Sequence, residues 1–121
     1  MNTYRQTQGN KGENLIAKHL EKHGYTIIAR NYRTKSGEID LIAQKNDTVA
    51  FVEVKWRKKD EIDPTTAINY PKQKKIIATA RHFIAHHYED EITYRFDVGI
   101  VCPKEGSPAI WYIPNAFVPY E

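Results

Sequence analysis

Apolar and polar positions alternate with period two in two neighbouring stretches, Gly37–Gln44 and Val49–Arg57, both rich in Ile, Val, Leu and Phe. Such alternation predicts strands, and the intervening Lys45-Asn46-Asp47-Thr48 has turn chemistry. Closed symmetrically on Asn46-Asp47, the hairpin sets Ile39, Leu41 and Ala43 against Val54, Val52 and Ala50, a face without a polar atom. The other face carries Glu38, Asp40 and Ile42 against Lys55, Glu53 and Phe51. Asp40 then faces Glu53, and Glu38 faces Lys55.

Helical periodicity appears twice. Ile16, Ala17 and Leu20 form an apolar stripe that predicts a helix from about Asn10 to His23, with Asn10 as N-cap and Gly24 as its stop. Ile76, Ile77, Ala80, Phe83 and Ile84 predict a second, from Pro71 or Lys72 to about Tyr88, with Pro71 in the first turn. Strands are expected at Tyr25–Arg33, Tyr94–Cys102 and Ala109–Ile113, with turns at Thr34–Gly37 and Pro103–Pro108 and a Pro-broken tail. Lys58–Tyr70 reads as a polar loop containing Pro64, and a loop that long in a compact domain is functional or mobile. Met1–Gly9 is polar and expected to be frayed. The order of elements implies an α/β domain: a mixed sheet around a central antiparallel hairpin, with helices on its apolar face and a cleft on its acidic face.

Composition narrows the setting. A chain of 121 residues, 40% hydrophobic and 27% charged, has room for one soluble globular domain with a single core. Cys102 is the lone cysteine, so no internal disulfide forms, and its apolar setting predicts a buried thiol. No signal peptide or membrane-length apolar run is present, which leads to the expectation of a cytoplasmic protein. The net charge of +3 hides an asymmetry: residues 1–85 hold 16 Lys or Arg against 9 Asp or Glu, whereas residues 86–121 hold 2 against 6. A basic first part suits a polyanionic partner.

Within that basic part the acidic hairpin face stands out. Carboxylates directly opposite each other destabilise a sheet; two charges about 4 Å apart repel by roughly 4 kcal/mol at an effective dielectric near 20. Lys55 offsets part of this, and a divalent cation with oxygen ligands would offset far more. A half-solvated sheet face with mixed charges is the competing account. Glu13 lies on the first helix's apolar stripe, either as a capping-box partner of Asn10 or as an acid reaching toward Asp40 and Glu53. Gln73 places an amide where the second helix should be apolar. Lys72, Lys74, Lys75 and Arg81 line that helix's solvent side. The pairs His19/His23 and His82/His86 have the turn-apart spacing of metal ligands, but no third ligand, and are expected to be solvated. Trp56 points away from Lys55 and is expected to pack. Asp97, with Arg95 on the same strand face, is expected to be structural.

Gly37-Glu38-Ile39-Asp40-Leu41 followed by Phe51-Val52-Glu53-Val54-Lys55 resembles the signature of the PD-(D/E)XK nuclease superfamily, an Asp and then Glu-X-Lys on the next strand. The match is closer to the YraN-type family of small predicted endonucleases, related to archaeal Holliday-junction resolvases. It is supported by Gly12-Glu13 with Ala17, by Asn31-Tyr32-Arg33 and by Arg95-Phe96-Asp97-Val98, and it covers the chain from about Gly9 onward. The proline that often precedes the superfamily's Asp is Ile39 here. The resemblance implies a restriction-endonuclease-like fold and hydrolysis of DNA, branched or structured, assisted by Mg²⁺ or Mn²⁺. Asp40, Glu53, the carbonyl of Val54 and Glu13 would hold the metal, and Lys55 would be catalytic. Glu38 and Gln73 would support these groups. Arg33, Lys35, Arg57, Lys58, Lys72 and Lys74 would contact nucleic acid, and a homodimer is expected by analogy. The alternative is a non-catalytic DNA-binding module of the same fold within a repair assembly.

Overall fold

The computed structural model describes residues 3–63, 67–87 and 91–119. One mixed sheet holds five strands in chain order: β1 (Thr26–Thr34), β2 (Gly37–Lys45), β3 (Thr48–Trp56), β4 (Thr93–Cys102) and β5 (Ala109–Phe117). Neighbours are antiparallel except β3 and β4, which run parallel. A parallel step needs a crossover, and helix α2 (Tyr70–His87) supplies it, while helix α1 (Thr3–Lys22) precedes the sheet. The restriction-endonuclease-like α/β expectation holds. No helix among the described residues is long and apolar enough to cross a membrane.

Each face of the sheet takes one helix. Alternation along β3 sends Val49 and Phe51 into a core with Ile76, Ile77, Ala80 and Phe83 of α2. It sends Ala50 and Val52 into a second core with Ile16, Ala17 and Leu20 of α1. The expectation that both helices share the hairpin's apolar face is therefore corrected. Ile42 and Phe51 lie on the face that carries Glu53, and both are fully buried. They are too apolar to be left in water. Helix α2 covers them, and the acids keep only the end of that face.

Helix α1 begins at Thr3, so the segment through Gly9 is helical rather than frayed. Asn10 lies inside the helix and is not its N-cap, which removes the capping-box role for Glu13. The helix ends as expected: Gly24 adopts φ 90°, and the Tyr25 N–H donates to the Leu20 carbonyl at 3.0 Å. Two other glycines set its distance from the sheet. A Cβ on Gly99 of β4 would stand 2.7–2.9 Å from three side-chain atoms of Ile16, and one on Gly12 would stand 2.7 Å from Nε1 of Trp56. Trp56 is packed, as expected.

Helix α2 is capped by Asn69, whose Oδ1 accepts the Lys72 N–H at 2.9 Å. This cap was not anticipated, and it places the start just ahead of Pro71. In the segment before it, Ile62, Ala67 and Ile68 pack against the α2-side core. Pro64 lies outside the described residues.

Strand β5 runs four residues beyond its expected end at Ile113. Pro114 is tolerated because β5 is an edge strand, and Asn115 takes φ 52°. The extension is anchored by Asp97, 1% exposed, which accepts from Arg95 Nε and Nη2 (2.8–3.1 Å), the Tyr112 hydroxyl (2.6 Å) and the Asn115 N–H (3.0 Å). Arg95 also donates to the Tyr25 hydroxyl at 2.7 Å. Burial, and then the adjacent carboxylate, push the Tyr112 hydroxyl far above its ordinary pKa. Asp97 is structural.

Two stability measurements check this packing. Gly99→Ala forces Ile16 to move and should cost about 1–3 kcal/mol in urea unfolding; unchanged stability would mean that α1 does not lie this close to β4. Asp97→Ala leaves a half-buried guanidinium and a hydroxyl without their acceptor and should cost about 3–5 kcal/mol. A loss below about 1 kcal/mol would show that β5 is held by other means.

Candidate active site

The β2–β3 ladder follows the expected register, from Lys45↔Thr48 to Leu41↔Val52, and then stops. In place of the next rung, Asp40 Oδ2 accepts the Val54 N–H at 2.8 Å. On the β1 side the register shifts between Ile27 and Ala29 and is constant from there to Thr34↔Gly37. Pairing there runs Arg30↔Leu41 and then Tyr32↔Ile39, and Asn31 between them adopts φ 51°. A left-handed residue breaks the two-residue alternation. On β2, Ile39 packs with Ile42 in the α2-side core, while Leu41 packs in the α1-side core. Asp40 sits at this switch.

The switch corrects two expectations. Ile39 does not share a face with Leu41 and Ala43. Glu38 does not pair across the hairpin with Lys55; its rung partner is Arg33 on β1, and Arg33 Nη2 donates to Glu38 Oε2 at 3.1 Å. Glu38 thus neutralises a basic residue at the sheet edge. Arg30, in turn, donates to Asn14 of α1 at 2.8 Å.

Asp40 and Glu53 nonetheless meet, their carboxyl groups within hydrogen-bond reach. Glu53 is 7% exposed, and its Oε2 is buried without a hydrogen-bond partner. Burial, then the hydrogen bond and charge of Asp40, push the Glu53 carboxyl up to about 8, and Lys72 and Lys55 only partly oppose this. Lys72 was expected on the solvent side of α2. Its Nζ lies instead 3.9 Å from Glu53 Oε2. The signal was present: Lys72 stands one turn before Ile76, on the stripe that faces the sheet.

Glu13 approaches from the other helix, brought down by the Gly12–Trp56 contact one residue earlier. Burial and then the charge of Asp40 raise its pKa, and a hydrogen bond with Asn31 pulls it down. Glu38 and Arg30 also act on it, with opposite signs. Asn31 therefore has two roles, kinking β1 and holding Glu13. Among the described residues no three His, Cys, Asp or Glu side chains form a ready-made cation cage. The donor set is instead the Asp40/Glu53 pair, with Glu13 within electrostatic range.

The pair fits a hard divalent cation. Hard oxygen donors suit magnesium or manganese, and magnesium characteristically takes one or two carboxylates and keeps several waters. A buried carboxylate oxygen without a partner is the kind of group that a cation satisfies. In the histidine pairs, His23 Nδ1 meets the His19 carbonyl, and the Tyr32 hydroxyl meets His82 Nδ1.

The remaining expected residues are distributed around this point. Lys55 lines a small cavity with Arg57, Glu61, Asp63, Ala67 and Ile100. Arg57 donates to the Trp56 carbonyl at 2.7 Å, and Lys58 is exposed. Lys35 is exposed in the β1–β2 turn, where Gly37 lies against Lys75 and Thr79 of α2. Lys74 is exposed with its Nζ 5.5 Å from the Tyr70 ring centre. The Gln73 amide donates to the Ile68 carbonyl at 2.9 Å, so it holds the entry to α2 rather than the acids.

The family model described as "Uncharacterised protein family UPF0102" matches residues 12–101. A UPF0102 protein of Alkaliphilus metalliredigens is 45% identical over 111 residues, spanning 90% of this chain and 96% of the relative. One of Geobacter metallireducens is 37% identical over 118 residues, 97% of each chain, and one of Caldicellulosiruptor bescii is 47% identical over 92 residues. The matched segment contains Glu13, Asp40, Glu53 and Lys55. The chain belongs to the UPF0102 family, the YraN-type family of the PD-(D/E)XK-like superfamily that its motifs resemble.

Proposed function

We propose that this protein is a metal-dependent DNA endonuclease of the cytoplasm, hydrolysing phosphodiester bonds in branched or structured DNA. The observation that carries this reading is the buried Glu53 oxygen beside Asp40, which makes no hydrogen bond and has Lys55 and Lys72 nearby. Asp40, already oriented by the Val54 N–H, and Glu53 would hold Mg²⁺ or Mn²⁺, with the Val54 carbonyl and Glu13 as further donors. When bound, the cation would supply a water of lowered pKa and withdraw charge from the phosphate. Lys55 would position the attacking water and stabilise the charge that develops on the phosphate oxygens. Lys72, 3.9 Å from Glu53, would hold the incoming phosphate. Arg33, Lys35, Arg57, Lys58 and Lys74 would contact the flanking backbone, a salt-sensitive interaction.

A non-catalytic DNA-binding module accounts less well for Glu53. Burying a carboxylate against another carboxylate destabilises the fold, and binding phosphates requires neither acid.

Two experiments follow. In cleavage assays on four-way, flapped, single-stranded and linear DNA, Mg²⁺ or Mn²⁺ should support cutting of the branched substrates and EDTA should stop it. Glu53→Gln should abolish cutting and Lys55→Ala should reduce it about 10²–10³-fold; equal cutting by wild type and Glu53→Gln would sink the assignment.

The second reads stability. Because the folded-state pKa of Glu53 is raised from 4.5 to about 8, the folded protein binds the extra proton, and stability falls as pH climbs through that interval. In EDTA at pH 8, Glu53→Gln should therefore melt several degrees above wild type. Saturating Mn²⁺ at a hundredfold excess over Kd should add about 2.7 kcal/mol to wild type and little to the variant. A wild type indifferent to Mn²⁺ would contradict the cation site.

A further inference from the structure

We propose that Trp111, together with Lys59 and Lys104, forms a stacking site for an unpaired base of the bound DNA strand. The proposal rests on the nuclease function above and specifies which part of a DNA substrate the protein selects. Lys55 of β3 pairs with Ile100 of β4, and Ile100 pairs with Trp111 of β5. Residues in one such row share a face of the sheet, and strands lie about 4.8 Å apart, so Trp111 stands about 10 Å from Lys55 on the same side. Ile100, between them, is buried and lines the small cavity that contains Lys55. Trp111 is 53% exposed.

An indole left this open on a sheet face is available for contact. Beside it is a cavity of about 360 Å³, walled by Ile62, Pro103, Ile110 and Trp111, with Lys59 and Lys104 as its charged members and no carboxylate among its lining residues. A mostly apolar cavity with two lysines in its lining complements a nucleobase and its phosphates. Aromatic platforms of this kind bind bases through their π-faces without regard to sequence. Bases within a duplex already stack on their neighbours, so the site favours DNA with an unpaired base close to the scissile phosphate. Flaps, forks and junction arms supply such a base, and continuous duplex does not.

The test measures binding in EDTA, where cutting is absent. Labelled single-stranded oligothymidine, a flapped duplex and a blunt duplex would be titrated with wild type, Trp111→Ala and Trp111→Phe, following both DNA anisotropy and tryptophan fluorescence. Unpaired DNA should quench the wild-type fluorescence. Trp111→Ala should weaken binding of single-stranded and flapped DNA about tenfold while changing duplex affinity less than about twofold, and Trp111→Phe should retain most of the affinity. Unchanged affinity of Trp111→Ala, an equal loss on blunt duplex, or a loss explained by an altered oligomeric state would each overturn the stacking site. Metal-dependent cutting with no effect of Trp111→Ala on binding would remove this site and leave the nuclease function standing. Trp111-dependent binding by a protein that never cuts would support the site and remove the hydrolysis.

Discussion

Two carboxyl groups in contact at the buried end of a sheet face set the terms for the rest of this structure. Asp40 and Glu53 repel when both are ionised, and an apolar setting magnifies the repulsion. Glu53 responds with a raised pKa, and one of its oxygens is buried without a hydrogen bond. Glu53 sits where the buried part of β3 ends, between the fully buried Val52 and the partly exposed Val54. A fold that carries such a defect gives up stability at a place where charge is useful.

The surrounding elements converge on that pair by identifiable means. Alternation along β2 breaks at Asp40, and the Val54 N–H fixes its carboxylate. Gly12 and Gly99 allow α1 to lie close enough for Glu13 to feel Asp40. The Asn69 cap fixes the first turn of α2, from which Lys72 reaches Glu53. On the α1 side of the sheet, beside Val52, Asp97 and Arg95 lock β4 to β5 and to Tyr25, holding the row that runs from Lys55 through Ile100 to Trp111.

Much of this was legible in the residues. The hairpin register followed from strict period two and a short turn, because a slip by one would have turned Leu41 and Val52 toward the wrong core. The meeting of Asp40 and Glu53 came with it. The structural role of Asp97 and the Gly24 stop were also readable. What escaped depended on single residues with non-local effects. Alternation breaks at Asp40, so Ile39 and Leu41 enter different cores, and no pattern within that strand announces it. The Asn115 N–H bond to Asp97 carried β5 past a proline that looked terminal. Lys72 was misplaced because its charge was weighed above its helical phase. The second helix's place on the acidic face followed from Ile42 and Phe51, whose burial outweighs the acids beside them.

The cation is the central claim, and its position is directly measurable. Crystals grown with manganese, and diffraction data collected at the manganese absorption edge, would locate the ion by its anomalous signal. A peak about 2.0–2.3 Å from carboxylate oxygens of both Asp40 and Glu53 is the predicted result. A peak elsewhere, with Asp40 still bonded to the Val54 N–H and Glu53 still in contact with it, would contradict the account.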